Sequence, residues 1–86
     1  MYHYAWLEPV LDDLAAIYVA AARKKRDDLA AGVSKFNTQL ADDPLSVGES
    51  RFDGRRVAFP PLLRIFFKVD VAARRVWVTS VIRYGK

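Results

Sequence analysis

The chain has 86 residues, 52% of them hydrophobic and 13% aromatic, which is enough apolar material for the core of one domain spanning residues 1–86. It has no cysteine and one histidine, so disulfides, thiolate chemistry and a histidine-rich metal site are excluded. The formal net charge is +4, but residues 1–43 carry five Lys/Arg against seven Asp/Glu, while residues 44–86 carry nine against three. This basic half indicates either a solvated surface or a face that binds polyanions.

The sequence also bears on the compartment. Its longest apolar run, residues 14–22, is too short to span a bilayer. The N-terminal residues lack the basic start of a signal peptide, and Asp12 and Asp13 interrupt the apolar residues there. We therefore expect a soluble, cytoplasmic protein that does not contact a membrane.

The first half predicts one strand and two helices. Residues 2–6 are aromatic and alternate weakly, which favours a short strand. Glu8-Pro9 suits the first turn of a helix, and the run Arg23–Arg26 suits its C-terminal end. Asp27 and Asp28 then predict the start of a second helix, and Asp43-Pro44 its end. The apolar stripes of the two helices are Leu7, Leu11, Leu14, Tyr18 and Ala21, and then Leu29, Val33, Phe36 and Leu40.

The second half predicts strands. A loop over residues 45–53 leads to a short strand at 55–59, which Pro60-Pro61 ends. Residues 62–84 predict a hairpin of two longer strands around the turn 71–74. The resulting order is β-α-α-β-β-β. It predicts an α+β fold in which an N-terminal helical hairpin packs on one face of a mostly antiparallel, four-stranded sheet.

Strand periodicity divides the hairpin residues between the two faces of the sheet. On its first strand Leu63, Ile65, Phe67 and Val69 share one face, and Leu62, Arg64, Phe66 and Lys68 share the other. On its second strand strict alternation puts Trp77, Thr79, Val81 and Arg83 together, opposite Val76, Val78, Ser80 and Ile82. Both sides of the second strand are apolar, so its sequence does not determine which side faces the core.

Familiar catalytic motifs are missing: there is no glycine-rich phosphate loop, no H-E-x-x-H and no G-x-S-x-G. We expect neither a cofactor nor a metal. What remains is arginine among aromatics, a set that suits phosphate binding and base stacking. Arg64 is the hardest to explain as a bystander, because its strand neighbours are large and apolar. At the other single positions, a solvated strand edge or loop residue is the better explanation of the charge.

The strings D-D-P-L, G-E-S-R and L-R-I-F-F-K-V-D followed by R-V-W-V-T-S-V-I-R-Y resemble the RelE/ParE superfamily of type II toxin–antitoxin toxins. The resemblance covers nearly the whole chain and implies the β-α-α-β-β-β fold. It also implies a protein antitoxin as partner. RelE-like members cut mRNA in the ribosomal A site, whereas ParE-like members poison DNA gyrase.

The resemblance implies candidate site residues. Arg64 matches the third-strand arginine of RelE-like toxins, and Arg83 and Tyr84 match the basic and tyrosine residues at the end of their last strand. Glu49 matches the loop glutamate of the YoeB-like branch. A catalytic set of Arg64, Arg83, Tyr84 and Glu49 follows. The RNA-binding residues would be Arg51, Arg55, Arg56, Lys68 and Lys86.

Departures from the family pattern leave three functions open. No histidine lies near the expected active face, and the chain stops at Lys86, before the tail that carries a further catalytic residue in some members. The first function is a metal-independent, ribosome-dependent mRNA endonuclease that inhibits translation. The second is a gyrase inhibitor without catalysis. The third is an inactive relative that only binds an antitoxin.

Overall fold

The computed structural model describes residues 1–85, which form an α+β domain with five strands rather than the four predicted. The sheet order is β1-β5-β4-β3-β2; β1 runs parallel to β5 and every other neighbouring pair is antiparallel. The additional strand, β2, has two residues and lies at an edge, where the sequence indicated only a loop. The elements are β1 (His3–Trp6), α1 (Glu8–Ala20), α2 (Arg23–Asp42), β2 (Glu49–Ser50), β3 (Arg55–Ala58), β4 (Leu63–Asp70) and β5 (Arg75–Arg83).

The junction between the helices differs from the prediction. The basic run does not end α1; it opens α2, and only Ala21 and Ala22 separate the two helices. Ala22 has an extended backbone (φ −66°, ψ 156°), and its carbonyl accepts the first helical hydrogen bond of α2, from the Arg26 N–H at 2.9 Å. The four cations therefore oppose the helix dipole, and their exposure to solvent weakens that effect. No helix within residues 1–85 is long and apolar enough to cross a membrane.

The core lies between the two helices and one face of the sheet. The stripe predicted for α2 is confirmed, since Leu29, Phe36 and Leu40 are buried. The Phe36 ring meets the ring of Phe67 on β4 edge-to-face, with centroids 5.6 Å apart. The stripe predicted for α1 is partly wrong. Leu7, Leu11 and Tyr18 are exposed, and the residues that face the core are Val10, Leu14, Ile17 and Ala21.

The faces of β4 are as predicted, but those of β5 are not, because β5 contains a bulge. Phe66 is opposite Ser80 and Phe67 is opposite Val78, so Thr79 has no partner on β4. An unpaired residue of this kind shifts every later residue of its strand to the other face. Val76 and Val78 before the bulge and Val81 after it are therefore all buried on the helix side. Arg83 follows Val81 onto that side, and Ile82 turns away from it.

Gly48 fixes the loop that precedes β2, and its replacement gives a testable prediction. Gly48 has φ +66°, and a Cβ there would overlap the Val57 carbonyl oxygen and lie 2.8 Å from its carbonyl carbon. Gly54 also has a positive φ, +81°, but has nothing within 4 Å. Gly54→Ala should lower the free energy of unfolding by about 1–2 kcal/mol, the conformational penalty alone. Gly48→Ala should lower it by more, because backbone must also move. Equal losses in urea unfolding would contradict this.

Candidate functional site

The helices leave one face of the sheet uncovered. Directly paired residues of neighbouring strands project from the same face. Arg64, Phe66 and Lys68 of β4 project from the uncovered face, so their partners on β3 and β5, and the partners of those residues, do so too. It carries four cations and two carboxylates, so its charge is positive. We call it the open face; its residues on β2 to β5 are Glu49, Arg55, Val57, Arg64, Phe66, Lys68, Asp70, Arg75, Trp77, Ser80 and Ile82. On β1 it carries Ala5 and His3, which pairs with Arg75, so the expectation that no histidine lies near this face was wrong.

Arg64 is half-buried at one end of this face. Its guanidinium carbon lies 5.6 Å from the ring centroid of Phe66 and 6.0 Å from that of Tyr84. Its Nε is buried and has no hydrogen-bond partner. Within residues 1–85, ion pairs with carboxylates form at Arg51 and Arg55, and Arg64 has none. A buried donor without a partner is unfavourable, and an anionic ligand would remove that penalty.

Aromatic rings and guanidinium groups alternate around Arg64. The Phe66 ring also lies under Arg55, whose guanidinium carbon is 4.9 Å from its centroid. The Tyr84 ring packs against Phe59, with centroids 5.1 Å apart. The Tyr84 N–H donates to the Leu62 carbonyl at 2.9 Å, which holds this residue next to the start of β4. Guanidinium groups suit phosphates and exposed rings suit unpaired bases. The Arg64 cluster consists of Arg55, Phe59, Arg64, Phe66 and Tyr84.

Arg83 does not join this cluster, although the sequence placed it with Arg64. Arg83 pairs with Leu63, whose side chain is completely buried under the helices, so Arg83 projects from the helix side. There it borders a groove of about 490 Å³ with Ala16, Ile17 and neighbouring residues. The bulge at Thr79 is the physical reason. Without it, strict alternation along β5 would put Val76 and Val78 on the helix side and Arg83 on the open face.

Arg56 is also on the helix side, because it pairs with the buried Phe67. Its Nε donates to the Val47 carbonyl at 3.0 Å, and its Nη2 donates to the Gly48 carbonyl at 3.2 Å. These bonds tie the loop before β2 to β3. The structure thus gives Arg56 a local role in holding the backbone, away from the Arg64 cluster.

Glu49 is on the open face but at the edge strand. Its carboxylate pairs with Arg51 at 3.0 Å, and both side chains are solvent-exposed. β2 and β4 are two strands apart, so the backbone of Glu49 is about 10 Å from β4 and its carboxylate is held by Arg51 rather than by the Arg64 cluster. Lys68 lies on the open face near its other end, opposite Trp77. Lys86, predicted to bind RNA, lies outside the described residues.

The set of site residues predicted from the sequence omitted Phe59, Phe66, Arg75 and Trp77. Period two along β4 already placed Phe66 on the face of Arg64. No local pattern places Phe59 beside Tyr84, since that contact depends on how the two chain segments meet. Placing Trp77 on the open face requires its pairing with Lys68, and the sequence alone does not give that register.

No protein-family model and no curated protein sequence matches this chain. Solved structures do match. It aligns with a chain of the RelBE2 toxin–antitoxin complex from Mycobacterium tuberculosis at a TM-score of 0.74 and 22% identity, covering 96% of this chain and 98% of the other. A chain of the chromosomal ParDE system from P. aeruginosa aligns at a TM-score of 0.74 and 18% identity, covering 99% and 98%.

The isolated E. coli RelE toxin aligns at a TM-score of 0.65 and 16% identity, covering 100% of this chain and 87% of that one. The chain therefore has the fold of the RelE/ParE toxins, as its sequence predicted. Its similarity to the RelBE2 and ParDE chains is equal by TM-score, so the fold does not distinguish between the two activities.

Proposed function

We propose that this protein is the toxin of a type II toxin–antitoxin system and that it cuts mRNA on the ribosome. The observation that carries the proposal is Arg64, a half-buried guanidinium on the open face whose Nε has no hydrogen-bond partner. A guanidinium binds phosphate through two parallel hydrogen bonds and stabilises the charge that develops on it during cleavage. Phe66 and Tyr84 beside it offer ring surface to the adjoining bases.

The reaction uses the RNA's own 2′-hydroxyl. A base removes its proton, the 2′ oxygen forms a bond to phosphorus, and the bond from phosphorus to the 5′ oxygen breaks as that oxygen takes up a proton. A base, an acid and stabilisation of the phosphate are required. Tyr84 is the hydroxyl-bearing side chain next to Arg64 and is 51% exposed. We assign it a proton-transfer role at the phosphate that Arg64 binds.

Tyr84→Phe tests this role, with Glu49→Gln as the matched variant. Tyr84→Phe keeps the ring against Phe59 and removes only the hydroxyl, so we expect cleavage to slow by about 100-fold, a typical contribution of general acid–base catalysis. Glu49→Gln removes a carboxylate that lies two strands from β4, so we expect cleavage near the wild-type rate. Single-turnover cleavage of ribosome-bound mRNA gives both rates. A large loss in Glu49→Gln with none in Tyr84→Phe would reverse the assignment.

The proposed partners are a protein antitoxin, the ribosome and mRNA, all met in the cytoplasm. The RelBE2 chain that this one resembles belongs to a toxin–antitoxin complex. Residues 44–86 carry nine Lys/Arg and three Asp/Glu, so we expect the toxin-binding segment of the antitoxin to be acidic.

A second candidate is a ParE-like inhibitor that blocks DNA gyrase without catalysis. Its support is the alignment with the ParDE chain at the same TM-score as with the RelBE2 chain. In that case the positive open face would contact gyrase or its DNA. A third candidate is an inactive relative that binds an antitoxin and nothing else, because a shared fold does not imply a shared activity.

A cell-free translation reaction followed by primer extension on the mRNA decides among the three. We expect new 5′ ends at ribosome-occupied codons. Intact mRNA would refute the endonuclease, and a parallel gyrase supercoiling assay would then separate the other two candidates. Loss of supercoiling would favour the ParE-like function, whereas normal supercoiling and translation would favour the inactive relative.

A further inference from the structure

Trp77 lies further along the open face than Arg64, in the same cross-strand row as Lys68 and as Arg55 of the Arg64 cluster. Trp77 is 36% exposed and pairs across the strands with Lys68. The guanidinium carbon of Arg75 is 5.8 Å from its ring centroid. Neither Lys68 nor Arg75 forms an ion pair with a carboxylate in the described part of the chain. The nearest carboxylate by register, Asp70, accepts the Ala73 N–H at 3.0 Å in the hairpin turn.

The other tryptophan shows what a structural role looks like in this fold. The Trp6 Nε1 donates to the Asn37 Oδ1 at 2.8 Å, and its ring meets Phe36 edge-to-face at 6.2 Å. Trp77 has no hydrogen bond from its indole in the described residues and borders solvent rather than the core. Core packing therefore does not account for a tryptophan at position 77.

The spacing along β4 connects this region to Arg64. Lys68 is four residues after Arg64, and an even separation keeps both on the open face. Four residues of strand span about 13 Å. A single strand of RNA whose phosphate lies at Arg64, and which runs along β4, therefore reaches Lys68 and the adjacent Trp77 on β5.

We propose that Trp77, Lys68 and Arg75 form a second subsite, in which an unpaired base stacks on the Trp77 ring while the two cations bind the adjoining phosphates. The inference rests on the proposed function, because the strand that reaches Trp77 is the RNA held at Arg64. Single-stranded nucleic acid is bound in this way by aromatic platforms within a positive groove. The open face carries four cations against two carboxylates on β2 to β5, and this positive charge favours RNA, a polyanion, as the ligand.

The two tryptophans provide the test. In Trp6→Phe the remaining indole is Trp77, and in Trp77→Phe it is Trp6. A short unstructured oligoribonucleotide is titrated into each variant, with indole emission and the anisotropy of an RNA label recorded together. We expect RNA to quench emission in Trp6→Phe but not in Trp77→Phe. In an otherwise wild-type chain, Trp77→Ala should bind RNA about tenfold more weakly, and Trp77→Phe should recover most of that loss.

The two readouts separate this inference from the proposed function. RNA binding by anisotropy without quenching of Trp77, and with unchanged affinity in Trp77→Ala, overturns the subsite and leaves cleavage at Arg64 intact. No binding of RNA by the wild-type protein also overturns the subsite, while primer extension on translating ribosomes judges the cleavage independently. If Trp77→Ala weakens binding of a protein partner but not of RNA, Trp77 belongs to a protein interface instead.

Discussion

Replacing Arg64 by alanine is expected to reduce ribosome-dependent mRNA cleavage by about 100- to 1,000-fold, the usual effect of removing one group that stabilises transition-state charge. Arg64 is the cation of the Arg64 cluster without a carboxylate partner in the described residues, since Arg55 pairs with Asp53. Arg64→Lys should recover little of the loss, because an ammonium keeps the charge but not the planar fork that binds phosphate. Primer extension under single-turnover conditions measures the rates, and circular dichroism checks that each variant folds.

Arg83→Ala is the matched control for Arg64→Ala. Arg83 is also a strand arginine at the same end of the sheet. It pairs with Leu63, next to the pair formed by Arg64 and Ile82, but it projects from the helix side. Its Nη1 donates to the carbonyls of Leu62, Tyr84 and Gly85, which holds the backbone after β5, so we expect Arg83→Ala to lose much less cleavage than Arg64→Ala. Equal losses in two folded variants would show that Arg83 reaches the phosphate despite its position, and would contradict the division of the two arginines between faces.

Phe67→Ala is expected to lower the free energy of unfolding by about 3–5 kcal/mol, the range for truncating a buried phenylalanine. Phe67 has no exposed surface and its ring packs against Phe36 at 5.6 Å. A domain of this size loses about 4–8 °C of Tm per kcal/mol, so Tm should fall by more than about 12 °C. Thermal and urea unfolding followed by circular dichroism give both values.

Phe66→Ala provides the comparison, because Phe66 is the adjacent phenylalanine on the opposite face of β4. It is half-buried under Arg55 and Arg64 rather than packed in the core. Phe66→Ala should therefore unfold at a temperature much nearer to that of wild type, yet cleave mRNA more slowly, since Arg64 loses the ring that positions it. If Phe66→Ala proves as unstable as Phe67→Ala, the uncovered face contributes to the core and is not a binding surface.

Most of the fold could be predicted because its signals are local. Period two along β4 and the stripe of α2 describe which side chains face the core, and the burial of Ile65 and Leu40 confirms them. The junction at residues 21–26 was misplaced because the basic run suits a helix C-terminus, whereas the short connector starts α2 at Arg23. β2 escaped prediction because two residues are too few to show a period.

A candidate site residue can be predicted from the sequence where it conflicts with its surroundings. Arg64 could be identified because a charge within an apolar strand requires solvent or a ligand, and the structure leaves its Nε without a partner. Residues whose position depends on the register between strands could not be identified from the sequence. The bulge at Thr79 turns Arg83 to the helix side, and no pattern in the strand's own sequence marks it. Trp77 meets Lys68 only through the pairing of two strands.

The strand order constrains how the chain folds in time. β5 follows the other four strands in the chain yet lies inside the sheet between β1 and β4, and its Arg75 pairs with His3. Pairings between residues so distant in sequence form late and slow folding, because most of the chain must be ordered first. A nascent chain therefore cannot bring Trp77 beside Lys68 until β5 has left the ribosome. The RNA subsite proposed at Trp77 would therefore be absent from a chain that is still being synthesised.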